Sequence, residues 1–160
     1  MQQSGFHTPS GYRDTSGRKL TEAMEDYLEM ICRTEGESIR IGELATALQV
    51  RPSSATRMVQ KLAEGGWLTY NRYDVVRPTA EGRRIGQYLL WRHETLMNFF
   101  SALTGMVSLE EVEQIEHFLR PDTVRALDML TCHMLQHGWV QKMAPEGLCR
   151  VRHRVLSVPK

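Results

Sequence analysis

Apolar positions recur with helical spacing through most of the chain, and the spacing predicts six helices interrupted by one short β segment. Thr21 can cap "EAMEDYLEMICRTE", in which Met24, Tyr27, Leu28, Ile31 and Cys32 form one stripe. "SIRIGELATALQV" predicts a short second helix with Ile41, Leu44, Ala45 and Leu48 inward, and a tight break at Val50–Arg51 leads on. In "PSSATRMVQKLAEGG", Pro52 suits a first helical turn and Gly65–Gly66 a stop. Ala55, Met58, Val59 and Leu62 face inward there, leaving Ser53, Ser54, Arg57, Gln60 and Lys61 outward.

The period then changes. "WLTYNRYDVVRPT" sets aromatic and β-branched residues around a polar middle, the pattern of a small hairpin. Thr79 can cap the long helix "AEGRRIGQYLLWRHETLMNFFSALTG". "SLEE" is a capping box with Ser108 at the cap and Glu111 three residues on, opening a helix through "VEQIEHFLR". Pro121 starts a last helix that Gly138 closes. Residues 1–20 lack apolar periodicity and are expected to form a flexible arm whose Arg13, Arg18 and Lys19 could touch phosphates. Residues 138–160 form a basic tail without a clear pattern.

The chain has 160 residues, 41% of them hydrophobic and 24% charged, and it is expected to be soluble and cytoplasmic. No run approaches the roughly 18 apolar residues of a membrane helix, and the N-terminus has no apolar core of a secretory signal. Cys32, Cys132 and Cys149 are an odd set without zinc-type spacing, suited to a reducing compartment. The net charge of +1 hides blocks. Residues 51–92 hold eight Lys/Arg against three Asp/Glu, whereas residues 93–128 hold seven acids against two bases. One region suits a polyanion and the next suits cations.

Helix, turn, helix and a two-stranded wing make a winged helix-turn-helix, the layout of a DNA reader. Ser53, Ser54, Thr56, Arg57, Gln60 and Lys61 mix phosphate contacts with side chains able to reach base edges, and Arg51, Arg72 and Arg77 flank them. Protein-interaction modules share this helix order; the basic block favours DNA.

"VEQIEHFLR" sets Glu113, Glu116 and His117 on one helical face, and the first helix pairs Asp26 with Glu29. His93 sits among apolar neighbours in the long helix. Such donors in an apolar lobe are unfavourable unless paired or bound to a cation. Each alone has a plain reading, helix-dipole acids for Asp26 and Glu29 or a core histidine for His93. Catalysis fits poorly. "HETLM" lacks the second histidine of a zincin helix, since Met97 stands there, and no two Glu-x-x-His pairs exist for a di-iron site.

The segments "EDYLEMI", "RPSSATRMVQKL", "IGQYLLWRHETL" and "VEQIEHFL" closely resemble the bacterial manganese transport regulators. These are the short branch of the diphtheria-toxin-repressor family of metal-dependent repressors. The resemblance spans about residues 20–137. It implies a mostly α fold: a winged helix-turn-helix at 21–79 joined by a long helix to a helical metal-binding and dimerisation domain at 80–137. It further implies a metal set of Asp26, Glu29, His93, Glu113, Glu116 and His117, holding Mn²⁺, two ions per subunit, with Fe²⁺ or Zn²⁺ able to bind in vitro. The iron-sensing branch resembles this layout but carries methionine where Asp26 stands, cysteine where Glu113 stands, and an additional SH3-like domain for which 160 residues leave no room. Two carboxylates at those positions suit a hard cation. The implied partners are a palindromic double-stranded operator and a second copy of the chain, with no membrane and no small organic substrate. The apolar face Val112, Ile115, Leu119, Leu127 and Leu130 is the expected dimer surface.

Overall fold

A computed structural model describes residues 20–34, 36, 38–70 and 75–138. The expected arm before residue 20, the wing tip with Arg72, and the tail from 139 onward lie outside the described residues.

The order is α1 (Glu22–Arg33), α2 (Ile41–Ala47), α3 (Pro52–Glu64), β1 (Leu68–Thr69), β2 (Arg77–Pro78), α4 (Ala80–Thr104), α5 (Leu109–Glu116) and α6 (Pro121–Gln136). Thr21, Thr79 and Ser108 each accept a hydrogen bond from a first-turn amide, relieving one of the unpaired donors at a helix start. Pro52 and Pro121 stand in first turns, where a missing N–H costs nothing. Gly105, at φ 72°, closes α4 in the left-handed conformation that glycine adopts without Cβ strain.

The first three helices and the wing share one core. Leu28 and Ile31 of α1, Leu44 of α2, Ala55, Val59 and Leu62 of α3, and Val76 before β2 are completely buried, and Leu89 of α4 joins them. β1 and β2 pair antiparallel with Leu68 opposite Pro78 and Thr69 opposite Arg77. Leu96, Ala102, Val112, Val124 and Met134 are the buried apolar residues of α4–α6 beyond that core. The fold is thus mostly helical, a DNA-binding-type unit joined through the 25-residue α4 to a helical unit. No helix among the described residues is long and apolar enough to cross a membrane.

Four local expectations change. Ser38–Arg40 is not helical: Ile39 exchanges backbone hydrogen bonds with Val76 (3.1 and 2.9 Å), so the chain enters α2 as an extended segment beside the wing. The turn into α3 comes earlier than Val50, because Gln49 takes the left-handed conformation (φ 53°). α5 ends at Glu116, with His117 as its C-cap rather than within the helix. Val112 is completely buried inside the protomer, and so is unavailable to a dimer surface. The exposed large apolar residues of this half are Leu103, Met106, Leu109, Phe118, Met129 and Leu130.

Candidate metal centre and nucleic-acid interface

α1, α4 and the end of α5 converge on a cluster of carboxylates and imidazoles. The 3.6-residue repeat that turns Leu28, Ile31 and Cys32 into the core turns Glu25, Asp26 and Glu29 towards this cluster. One ligand atom each from Glu29, His93 and Glu116 lies within 4.8 Å of the others. His93 Nδ1 is 3.0 Å from Glu116 Oε2. On the neighbouring side, His117 Nε2 is 3.2 Å from Asp26 Oδ1, and its Nδ1 is 3.0 Å from Glu25 Oε2. Glu116 connects the two groups, with Oε1 3.9 Å from His117 Nε2.

Five of the six expected ligands therefore meet, Asp26, Glu29, His93, Glu116 and His117. Glu113 does not join them. It is exposed on α5 and makes no side-chain hydrogen bond or ion pair among the described residues. Two residues that the sequence reading did not single out belong to the cluster. Glu25 bonds to His117, and Arg92 Nη2 lies 3.0 Å from Glu25 Oε2. A signal for Arg92 existed in the lone basic residue of the apolar run "YLLWRHETL". Arg33 also reaches the cluster, its Nη2 2.5 Å from Glu29 Oε1.

The electrostatics follow from crowding acids in a half-buried space. Burial, and then the nearby Glu116, raise the Glu29 carboxyl above its ordinary range. The hydrogen bond that His93 donates to Glu116 raises the His93 pKa, and those that His117 donates to Asp26 and Glu25 push it up to about 10. The acids thus gather positive charge wherever they find it: on imidazoles, on Arg92 and on Arg33. Clustered carboxylates with imidazoles are the donor chemistry of a divalent cation such as Mn²⁺, and the residues present fit one.

α3 carries the other expected surface. Ser53, Ser54, Arg57, Gln60 and Lys61 are exposed on the face opposite the buried Ala55, Val59 and Leu62. Arg51 precedes the helix and Arg77 lies on β2; both are exposed. Arg51, Arg57, Lys61 and Arg77 have no acidic partner among the described residues, so their charge faces outward. Thr56 differs: it is half-buried, and its hydroxyl donates to the Pro52 carbonyl (2.9 Å). That bond engages the hydroxyl proton of Thr56 and leaves its oxygen as an acceptor.

A basic helix on a winged core, coupled through α1 and α4 to a cation-type cluster, defines a metal-responsive DNA-binding regulator. Two family models match in succession: the iron dependent repressor N-terminal DNA binding domain over residues 19–76, and the iron dependent repressor metal binding and dimerisation domain over residues 79–141. The chain is 40% identical over 109 residues to the HTH-type transcriptional regulator MntR of Shouchella clausii (strain KSM-K16), covering 65% of this chain and 76% of that protein. It is 44% identical over 104 residues to that of Geobacillus kaustophilus (strain HTA426), covering 62% and 73%. Among solved structures it resembles a manganese-dependent transcriptional repressor in complex with manganese (TM-score 0.62, 25% identity, 68% of this chain and 52% of the other). It also resembles ScaR with bound Zn²⁺ (TM-score 0.59, 26% identity, 69% and 54%), so the match spans about half the length of these solved chains. The chain belongs to the iron-dependent repressor family, in the manganese-regulator branch of manganese-responsive DNA-binding repressors.

Proposed function

We propose that this chain represses manganese-uptake genes, acting in the cytoplasm as a homodimer that binds a palindromic operator only when its metal cluster is filled. The single observation that carries the reading is the convergence of Glu29, His93 and Glu116 from three helices, two of which, α1 and α4, also contribute to the DNA-binding core. Asp26, Glu29, His93, Glu113, Glu116 and His117 are the proposed ligands. Two groups of donors meeting at Glu116 support two ions per subunit. Glu113, one turn before His117, would complete the exposed side.

Mn²⁺, when bound, supplies the positive charge that lets these carboxylates sit together. Asp26 and Glu29 fasten α1, and Glu116 and His117 the end of α5, to His93 on α4. The winged unit then holds one orientation relative to α4. Fe²⁺ and Zn²⁺ would also bind in vitro, because Mn²⁺ lies at the weak end of the affinity order and selectivity comes from geometry and availability.

The winged unit at 21–79 would place α3 in the major groove. Arg57, Gln60 and Lys61 would read bases, Ser53, Ser54 and Thr56 the groove edge, and Arg51, Arg72 and Arg77 the phosphates. The unit at 80–137 would dimerise, bringing two copies of α3 onto half-sites about one helical turn apart or a multiple of it. The donors of the cluster are those of cation binding, so we read the chain as a regulator and not as an enzyme. The same family includes iron-responsive repressors, and Fe²⁺ is the second effector to test.

The test is a titration of the chelator-stripped protein with Mn²⁺, Fe²⁺ and Zn²⁺, following a labelled palindrome from a manganese-uptake promoter by fluorescence anisotropy. Switching by micromolar Mn²⁺ that chelator reverses is expected. DNA binding indifferent to metal would overturn the proposal, and a response to Fe²⁺ alone would move the chain to the iron-sensing role.

A further inference from the structure

Arg92 lies inside the cluster and is one group that no metal can use as a ligand. The residue is only 3% exposed. Its Nη2 is 3.0 Å from Glu25 Oε2 and 3.8 Å from Glu116 Oε1, and it lies 3.3 Å from His117 Nδ1. Its Nε is buried without any hydrogen-bond partner among the described residues. A guanidinium buried to this degree normally saturates its donors, because an unpaired one forfeits its hydration. Here one nitrogen is tied to acids and another is left unsatisfied, so the carboxylates around it, not a complete hydrogen-bond shell, are what hold the charge in place.

We propose that Arg92 is a fixed internal cation that sets the metal affinity of the cluster, a positioning residue rather than a ligand. It engages Glu25, which keeps that carboxylate out of the ligand set although its neighbour Asp26 belongs to it. It also lies against Glu116, the residue common to both groups of donors. The cluster therefore presents less negative charge than its carboxylates would supply, and fills only at a higher metal concentration. Arg33 differs in kind: it is half-exposed and its pair with Glu29 is screened, so it can leave. Arg92 is enclosed and stays. This inference rests on the metal reading of the cluster.

The proposal makes two substitutions pull in opposite directions. Deleting the cation leaves more negative charge beside the metal and tightens binding. Deleting its carboxylate partner leaves an uncompensated cation beside the metal and weakens binding. A residue that served only to pack the core would lower affinity at both positions. Charges a few ångströms apart in a partly buried site interact strongly enough for a tenfold effect or more.

The experiment measures Mn²⁺ affinity of the full chain by calorimetry, with helical circular dichroism and melting as a check on folding. Arg92→Gln is expected to bind Mn²⁺ about tenfold tighter and Glu25→Gln about tenfold weaker, since the effect of one charge is shared among several groups. Arg92→Lys, which keeps the charge, is expected to stay within about threefold of the parent, and the double Arg92→Gln/Glu25→Gln variant to return near it. A folded Arg92→Gln with unchanged or weaker Mn²⁺ binding overturns the inference. If Arg92→Gln does not fold, Glu25→Gln decides: unchanged or tighter binding overturns it equally. His93→Ala separates the two levels, because undiminished Mn²⁺ binding in that variant removes the metal reading itself.

Discussion

Replacing Gly82 with alanine tests how the winged unit is joined to the long helix. A Cβ at residue 82 would stand 1.9 Å from the Trp67 carbonyl oxygen and 2.8 Å from its carbonyl carbon. Carbon and oxygen in their closest ordinary contact are about 3.3 Å apart, so α4 and the start of the wing must part by more than an ångström. Both sides of the clash are backbone, and neither can rotate away. The same carbonyl accepts from Thr79 N (2.9 Å) and Thr79 Oγ1 (3.2 Å), while Thr79 Oγ1 caps α4 by accepting from Gly82 N (3.1 Å). Overpacking of this kind costs about 1–3 kcal/mol and loss of the cap about 1 kcal/mol. Alanine returns up to about 1 kcal/mol of helix propensity. The net loss is about 1–3 kcal/mol, and Tm should fall by about 2–12 °C. His93 stands eleven residues further along α4, roughly 16 Å away at 1.5 Å per residue, so operator affinity should fall more than Mn²⁺ affinity. Thermal denaturation by circular dichroism, paired with anisotropy and calorimetry, reads all three. A Tm within 1 °C of the parent would refute the argument, as it would mean that the junction opens without penalty.

Further substitutions separate the surfaces. Glu116→Ala should reduce Mn²⁺ affinity by two orders of magnitude or more, because Glu116 is buried and common to both donor groups, whereas Glu113→Ala, on an exposed side chain, should reduce it about tenfold; equal losses in calorimetry would contradict this ranking. Arg57→Ala should weaken operator binding by about 1–3 kcal/mol at unchanged Mn²⁺ affinity, and an intact complex would place the reading surface elsewhere. Burial pushes the Cys32 thiol up to about 11, so at pH 8 the thiolate is about one part in a thousand. Iodoacetamide followed by peptide mass spectrometry should find Cys32 unmodified in the folded chain and modified after denaturation. Equal rates in the two states would contradict the enclosure of α1 against α4.

The helices were legible where local chemistry is decisive: at the Thr21, Thr79 and Ser108 caps, at Pro52 and Pro121, and at Gly105. What escaped depended on distant partners. Ile39 is extended because Val76 lies alongside it, a pairing across 37 positions that no periodicity encodes. Val112 was expected at a dimer surface because a helical stripe does not say which neighbour covers it, and here α5 packs against α4 and buries it within the protomer. The cluster was legible as spacing on α1 and α5, and the resemblance supplied the connection to His93. Glu25 was passed over because adjacent acids on a helix cannot be ranked without knowing what faces them. Here His117 and Arg92 face Glu25.

Coupling between cluster and DNA unit depends on how α1 is held before metal arrives. One face of α1 buries Leu28 and Ile31 in the winged core, and the other sends Glu25 and Asp26 to His117 and Arg92. These contacts already join α1 to α4 and to the end of α5. A metal-free chain so tied should not release α1, and metal must act by narrowing an existing arrangement. A shift from about 1% to 99% of the competent orientation requires roughly 5.5 kcal/mol of differential binding. That energy must come from contacts which change on filling, chiefly at Glu29, His93 and Glu116, where burial and a second carboxylate already raise the Glu29 carboxyl. Hydrogen exchange should therefore show α1 amides protected in chelator-stripped protein, with Mn²⁺ slowing them further by a factor of ten or more rather than creating protection from none. Unprotected α1 amides without metal would mean that the Glu25–Arg92–His117 contacts do not hold the helix, and that metal folds the junction instead of tightening it.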